Sequence, residues 1–551
     1  MKLKLSALFS DNMVLQRNAE INITGSAEAG EAVEINFSGK AFSAKAGSDG
    51  GFSCPIGSYA ENCEPQELKI ICKNEEVVIK NILIGDVWLC SGQSNMELWI
   101  GRVAHYYPEE MNVTNPLIRH FKIPQTYNFT APQTEIGLQE GMGVWETYSP
   151  ETAPDITAVG YFFAKKLAER YHIPIGIFAG AVGGTPITAW MNRDMLKDFP
   201  EILAEAAQCA APDFPQFMEK TAKEHEIYTQ DYHKRLGESD LGFKYNYKNA
   251  DFDDSDWEEV HICKPVKQTA TGVYWYRKTV DIPADMRGKQ ACIFLGTAVD
   301  MDEVFINCAG MSDAEKIGVT YYRYPPRMYS FTVPDESKMT VIIRLLVFGN
   351  NGGFTAGKNY FISTGNKFID MGGNWKRKCG TEFENPKPQT FFSYKPTGLF
   401  NGMISPLTKT AIKGVIWYQG ESDTGSYKDY GEKMKTLING WRACWKQEFL
   451  PFLMTQIAYY DDAGNCGKDH IENCDKLRDE QKKALALPLT GLAAAHDLGE
   501  NNDLHPQNKR DAGERLARIA MRVAYGDNLP HGGELPHGGE LPPNLFEMCN
   551  C

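Results

Sequence analysis

The sequence has no apolar run approaching the roughly 20 residues that a bilayer-spanning helix needs. A soluble chain without a membrane partner is therefore expected. A surplus of positive charge is also missing: 57 Lys and Arg face 71 Asp and Glu, a formal net charge of -14. A general nucleic-acid binder needs Lys and Arg in excess on one face to neutralise phosphates, so no nucleic-acid partner is expected. The acidity itself reads as a solubility feature. Paired cysteine spacings are absent among the 14 cysteines. Cys466 and Cys474, and the terminal Cys-Asn-Cys, are too loosely spaced for a zinc site, so no metal is expected. The opening MKLKLSALFSDNMVLQR lacks a long apolar core and meets Asp11 and Asn12 early. It reads as a first strand, not a secretion signal, which predicts a cytoplasmic protein with reduced thiols. A leader removed upstream would instead place it in the periplasm or outside the cell.

What is present has a clear order. A length of 551 residues suggests three or four domains. Residues 1–80 hold short alternating runs (EINITG, AVEINFSG, ELKIICK, EEVVIKN) between Gly, Asn and Asp, the pattern of a small antiparallel β-domain. From Ile82 the rhythm becomes strand, turn, helix, strand. ILIGDVWLCSGQSNM is an apolar strand into a polar turn, residues 158–172 carry helical spacing, and IPIGIFAGAVGGTPITAW is a strand, a Gly-rich turn and a helix start. That is the rhythm of a parallel α/β sheet, predicted over 81–239. Residues 240–360 turn to aromatic-rich β-runs and read as an inserted β-sandwich. At its start, Asp253, Asp256 and Trp257 fit turn chemistry better than a sugar contact. The α/β rhythm returns over 361–528 with GVIWYQGESD, a helix at 427–445, two more buried strands and an amphipathic helix with Leu516, Ile519, Met521 and Val523 on its apolar positions. Residues 529–551 repeat LPHGGE and read as a low-complexity, disordered tail, in which His531 and His537 are poor metal candidates.

Ligands of parallel α/β sheets bind at the carboxyl ends of the strands. Four polar clusters are placed for that. Ser94, in Gly92-Gln93-Ser94-Asn95-Met96, stands just beyond a strand, where a following helix start aims N–H groups and a positive dipole. A serine hydroxyl needs a base to become a nucleophile, and alone this one is a weak signal whose plainer reading is a helix N-cap. Gly183 and Gly184 permit close backbone approach and an N–H donor to an oxyanion; alone they are a tight turn. Gln419 offers an amide donor, with Glu421 and Asp423 on the same rim, where the plainer reading of Ser422 and Asp423 is capping. One such oxyanion donor is worth about 2.7–4 kcal/mol of barrier. His505, one of only 11 histidines, follows Asp503 by two residues, and Pro506 can open the last helix. A carboxylate on one ring nitrogen fixes the tautomer and frees the other to act as base.

Taken together, GDVWLCSGQSNME, GGTPITAWM, GVIWYQGESD and DLHPQNKRDAGERLA resemble the sialate O-acetylesterase family of the SGNH hydrolase superfamily. LFSDNMVLQR resembles the start of such proteins, and the inserted β-region resembles galactose-binding-like modules. The resemblance reaches from the start to about residue 528. It implies a flavodoxin-like three-layer α/β/α hydrolase domain. It implies Ser94 as nucleophile, His505 as general base, and an oxyanion hole of the Ser94 N–H, a glycine of Gly183-Gly184, and Gln419. The wider superfamily places an aspartate three residues before the histidine, where this chain has Asn502. The orienting carboxylate is therefore open: Asp503 first, Glu421 second, Asp497 third. Relatives continue with β-structure that completes the N-terminal domain, so an exposed β-edge is expected here.

The implied reaction is a two-step acyl transfer from an acetylated sugar or oligosaccharide, with no cofactor. Sialate O-acetylesterase is the first reading and acetylesterase of xylan or another plant polysaccharide the second. A non-catalytic carbohydrate-binding protein is the third, and the Ser/Gln/His set speaks against it. Oligomeric state is not legible.

Overall fold

The computed structural model describes residues 3–529 and 534–535, apart from 138, 263, 265–269, 310, 323–324, 350–351, 356, 366, 462–465 and 501–502. The organising element is one strand, Glu75–Gly92, 18 residues long. Its first half pairs antiparallel with Asn62–Cys72. Its middle pairs in parallel with Val14–Gln16. Its second half lies between Ile175–Ala181 and Gly414–Tyr418, parallel to both. The expected break at residues 80–82 is therefore no break in structure. The apolar run ILIGDVWLC continues the β-conformation begun at Glu75, so the N-terminal β-structure and the α/β sheet share one hydrogen-bonded ladder.

Across the α/β part the parallel strands run Asn115–Lys122, Ile175–Ala181, Glu75–Gly92, Gly414–Tyr418, Phe452–Thr455 and Thr490–Ala493. Trp145–Tyr148 adds an antiparallel edge. Strand side chains alternate between faces, and both faces are apolar. Val87, Leu89, Val415 and Trp417 join a core with Leu437, Ile438 and Trp441 of the helix Tyr430–Trp445. Trp88, Cys90, Ile416 and Tyr418 join another with the helices Ala158–Tyr171 and Lys509–Val523. Helices therefore cover both sides of the sheet, as a parallel sheet requires. No helix among the described residues is long and apolar enough to cross a membrane.

The inserted β-region forms two sheets. One runs Glu258–His261, Asn374–Glu382, Gly272–Asp281, Lys338–Val347, Met301–Asn307, Glu315–Thr320. The other holds Pro326–Thr332, Gln290–Val299, Tyr360–Thr364 and Lys367–Asp370, with Gly353–Phe354 beside it. Strands continue to Glu382, so the expected boundary at 360 falls too early. The polar alternation of KFID and NWKRKCGTE belongs to half-exposed strands, which hid them among loop-like residues. At the start of the insert, Asp253 Oδ1 accepts from the Ser255 N–H at 3.0 Å and Asp256 pairs with Lys378, while Trp257 is buried. These are turn and packing roles.

Three further expectations change. The last helix begins at Lys509, not Pro506, because the Asn508 side chain caps it by accepting from the Asp511 N–H. The helix start after Gly183-Gly184 is only a 3-10 turn, Ile187–Trp190. Within the tail, Glu534–Leu535 form a short strand against Thr490–Ala493, so the tail is not wholly without structure; His531 and His537 lie outside the described residues, as does Asn502.

Candidate active site

The strand Glu75–Gly92 delivers Ser94 to the carboxyl edge of the sheet. Gly92 has φ +130°, and any side chain there would come within 2.2 Å of the Tyr418 carbonyl oxygen. Only glycine lets the chain turn this close to its neighbour. Ser94 then opens the helix Ser94–Glu97 and is half-buried. At the first helical position its N–H has no partner inside the helix. The helix is a single turn, so the dipole expected at Ser94 is slight; its N–H groups are what remain.

Asn95 gathers the other loops around the serine. It is fully buried, and its Nδ2 donates to Glu421 Oε1 at 2.5 Å and to the Leu504 carbonyl at 3.2 Å. Its Oδ1 accepts from Lys509 Nζ at 2.6 Å. One amide therefore ties the residue after Ser94 to the Gln419–Asp423 loop, to the residue before His505, and to the last helix. Gln93 adds a second tie, its Oε1 accepting from the N–H groups of Gly420 and Ser422 at 3.2 and 3.4 Å. Gly183 completes the ring. A side chain built on it would lie 3.5 Å from Ser94 Cβ.

The oxyanion donors differ from expectation. The Gln419 amide is fully buried and committed elsewhere: Nε2 donates to Asp423 Oδ2 at 2.5 Å and to the Thr185 carbonyl at 3.1 Å, and Oε1 accepts from Tyr430 Oη at 2.8 Å. Those partners fix which end is nitrogen. Gln419 thus braces the Gly-rich loop and does not offer its amide to Ser94. Asp423 shares that task, accepting from the Ile187 N–H at 3.0 Å. The Gly183 N–H is also occupied, donating to Glu97 Oε2 at 2.7 Å. Gly184, at φ +74°, is the glycine of the pair whose N–H that carboxylate does not take. Tyr394 Oη fills the space where a Gly184 side chain would begin.

Around His505, Asp503 Oδ1 accepts from the His505 main-chain N–H at 2.9 Å. Asp503 Oδ2 accepts from Gln507 Nε2 at 3.1 Å and from Lys358 Nζ at 3.2 Å. Lys358 belongs to the inserted β-region and also pairs with Glu500. The aspartate thus shapes the histidine's loop through its main chain, its charge balanced from another part of the fold. Glu421 Oε1 is held by Asn95, while its buried Oε2 has no partner among the described residues. Asp497 is drawn away, both its oxygens held by Arg515 at 2.6–2.7 Å.

Burial sets the protonation states. It pushes the carboxyls of Glu421, Asp503 and Glu97 above their ordinary range, although hydrogen bonds and nearby cations pull the other way. Burial, together with the charges of Lys509 and Arg102, pushes the His505 imidazole down to about 3. Burial also brings the Lys509 ammonium down to about 8, against the carboxylates of Asp503, Glu421 and Glu500. His505 is then neutral, as a base must be, across the neutral range. We expect the acid limb of kcat/KM to lie well below pH 6.5. In Lys509→Met the limb should move to higher pH, because losing a cation favours imidazolium. A pH–rate profile checks this; a limb that stays put or moves down contradicts the assignment.

Several residues of this site were not legible as functional. Asn95 and Glu97 lie inside the SGQSNME run, yet nothing in their spacing points to loops more than 300 residues away. Lys509 carries no pattern that sets it apart from the other charged residues of its helix. Arg102, half-buried, donates to Tyr322 Oη of the inserted β-region at 3.3 Å. No sequence pattern links it to Lys358, a second contact from the insert.

A family model described as carbohydrate esterase, sialic acid-specific acetylesterase, matches residues 84–214 and 379–522. The gap between those segments holds the inserted β-region up to the middle of its last strand, Asn374–Glu382. Sialate O-acetylesterase of Rattus norvegicus is 32% identical over 127 residues, covering 22% of this chain and 22% of that protein. The Mus musculus protein of that name is 30% identical over 172 residues, covering 28% of this chain and 32% of its own. The chain thus matches less than a third of the length of these relatives. A solved carbohydrate acetylesterase from Xanthomonas citri shares 23% identity, covers 96% of this chain and 77% of its own, and superposes with a TM-score of 0.58, a likeness of fold. The matched segments contain Ser94, Gly183, Gly184, Gln419, Glu421 and His505, and with them the chain belongs to the sialic acid-specific acetylesterase family of carbohydrate esterases.

Proposed function

We propose that this protein is a carbohydrate O-acetylesterase working through an acyl-enzyme on Ser94. The observation that carries the reading is Asn95, whose one side chain joins the serine turn, Glu421, the His505 loop and Lys509. His505 takes the Ser94 hydroxyl proton as Oγ attacks the acetyl carbonyl. The Ser94 and Gly184 N–H groups receive the oxyanion. The tetrahedral intermediate collapses, the C–O bond to the sugar breaks, and the sugar oxygen takes the proton from His505. Water, deprotonated by His505, then attacks the acetyl-serine, and acetate leaves as Oγ regains its proton. Asp503 orients the histidine through its loop, with Glu421 the second carboxylate in reach of that loop.

The flavodoxin-like SGNH arrangement is part of this reading. So are an N-terminal β-domain and a galactose-binding-like insert, with the insert extended to Glu382. The strand order and the two-sided helix cover support it. Sialate esters are the first substrate class, from the names of the relatives, and acetylated xylan the second. Turnover of p-nitrophenyl acetate, labelling of Ser94 by a serine-directed phosphonate, and acetate release from acetylated sialosides and xylo-oligosaccharides test the reading. Neither turnover nor labelling would leave sugar binding without catalysis.

A further inference from the structure

Beside the Gly183-Gly184 turn that packs on the serine, the fold places an aromatic cluster that the acyl transfer does not use. It begins at Tyr394, whose hydroxyl abuts Gly184, one residue from the glycine packed on Ser94. The Phe391 ring stacks on Tyr394, centroids 4.9 Å apart and planes 22° apart. Phe391 is 46% exposed. Behind it, Phe129, Cys209 and Phe392 form a small buried cluster with Phe214 and Met218, separate from the main cores. That base also carries two exposed rings. Phe217 lies 6.1 Å from Phe392 at 89°, and Tyr127 lies 5.4 Å from Phe129. The nearest cation in sequence, Lys395, is neutralised by Glu205 at 2.8 Å.

An exposed apolar patch continuous with a polar catalytic centre marks a binding surface. A stacked aromatic pair offers a flat, electron-rich face. That face suits the weakly polarised C–H groups on one side of a pyranose ring, while the Tyr394 hydroxyl meets the sugar's polar rim. The pair is fixed within one turn, the Tyr394 N–H donating to the Phe391 carbonyl at 3.1 Å, and the intervening Phe392 is anchored in the buried cluster, so little conformational freedom is lost on binding.

We propose that Phe391 and Tyr394 form a subsite for a neutral sugar ring next to the acetylated one, so that the preferred substrate is an oligosaccharide and not a single acetylated sugar. This rests on the esterase reading and deepens it. The readout is the ratio of kcat/KM on monoacetylated xylotetraose to that on acetylated xylose. In the wild-type protein the ratio should exceed one. In Phe391→Ala it should fall about three- to tenfold, the worth of a single aromatic contact, and Phe391→Trp should restore it. A ratio near one in the wild-type protein, or one that Phe391→Ala leaves unchanged, overturns the proposal, including the case where both substrates lose equally. Calorimetric titration with unacetylated xylotetraose separates the two readings. A Kd weakened about three- to tenfold in Phe391→Ala upholds the subsite even if no acetate is ever released, and an unchanged Kd removes it.

Discussion

Ser94→Ala should lower acetate release by at least about 10⁴-fold while the protein keeps its fold. Ser94 is the hydroxyl that the sheet's carboxyl edge brings against Gly183, and an activated serine oxygen is what converts one hard displacement into two easier ones. The structural cost is small. Ser94 is half-buried at the head of a one-turn helix, and its neighbours are tied by Asn95 and Gln93, not by its own hydroxyl. A thermal unfolding midpoint within about 2 °C of the wild type is expected. The measurement is acetate released per enzyme alongside a melting curve. A variant that keeps substantial turnover would show that acetate leaves by another route.

His505→Gln should cost nearly as much, about 10⁴-fold or more in kcat. Without the base, the serine proton has nowhere to go in the transition state. The more searching result is the double variant. Residues that act as one unit lose their effect together, so Ser94→Ala with His505→Gln should be no slower than the worse single change. Multiplying losses would mean that the two side chains serve separate steps. Gln keeps a similar volume, and the main-chain bond from residue 505 to Asp503 is independent of the side chain, so the loop should stay in place.

Much of the fold was legible because its signals are local. The apolar strands ending at Gly92, Tyr418, Thr455 and Ala493 each bury both faces, and an unbroken apolar run records that without any partner. The amphipathic helix Lys509–Val523 carries its own period. What was not legible depended on partners. Strands Lys367–Asp370 and Asn374–Glu382 are half-exposed and charged, and only the sheet beside them makes them strands. The same division runs through the site. Ser94 was found by its place just beyond a strand end, and His505 because histidines are few and this one follows Asp503 by two residues. Gln419 was found as a type but given the wrong task. An amide's direction is decided by what surrounds it, and here Asp423, Thr185 and Tyr430 claim every polar atom. Asn95, Lys509 and Lys358 carry no individual signal, since their meaning lies wholly in contacts across the chain.

The strand Glu75–Gly92 has a consequence for how this protein can be cut and inherited. Its first residues complete the N-terminal β-structure, and its last residue aims the nucleophile. The N-terminal part is therefore not an accessory that recombination could append or discard at a linker. Severing the chain near residue 80 would divide a single strand and leave the serine on a segment with half its pairing gone. The two regions should melt in one transition, and in evolution they should travel together, whereas the β-insert meets the site through side chains, Lys358 on Asp503 and Tyr322 on Arg102.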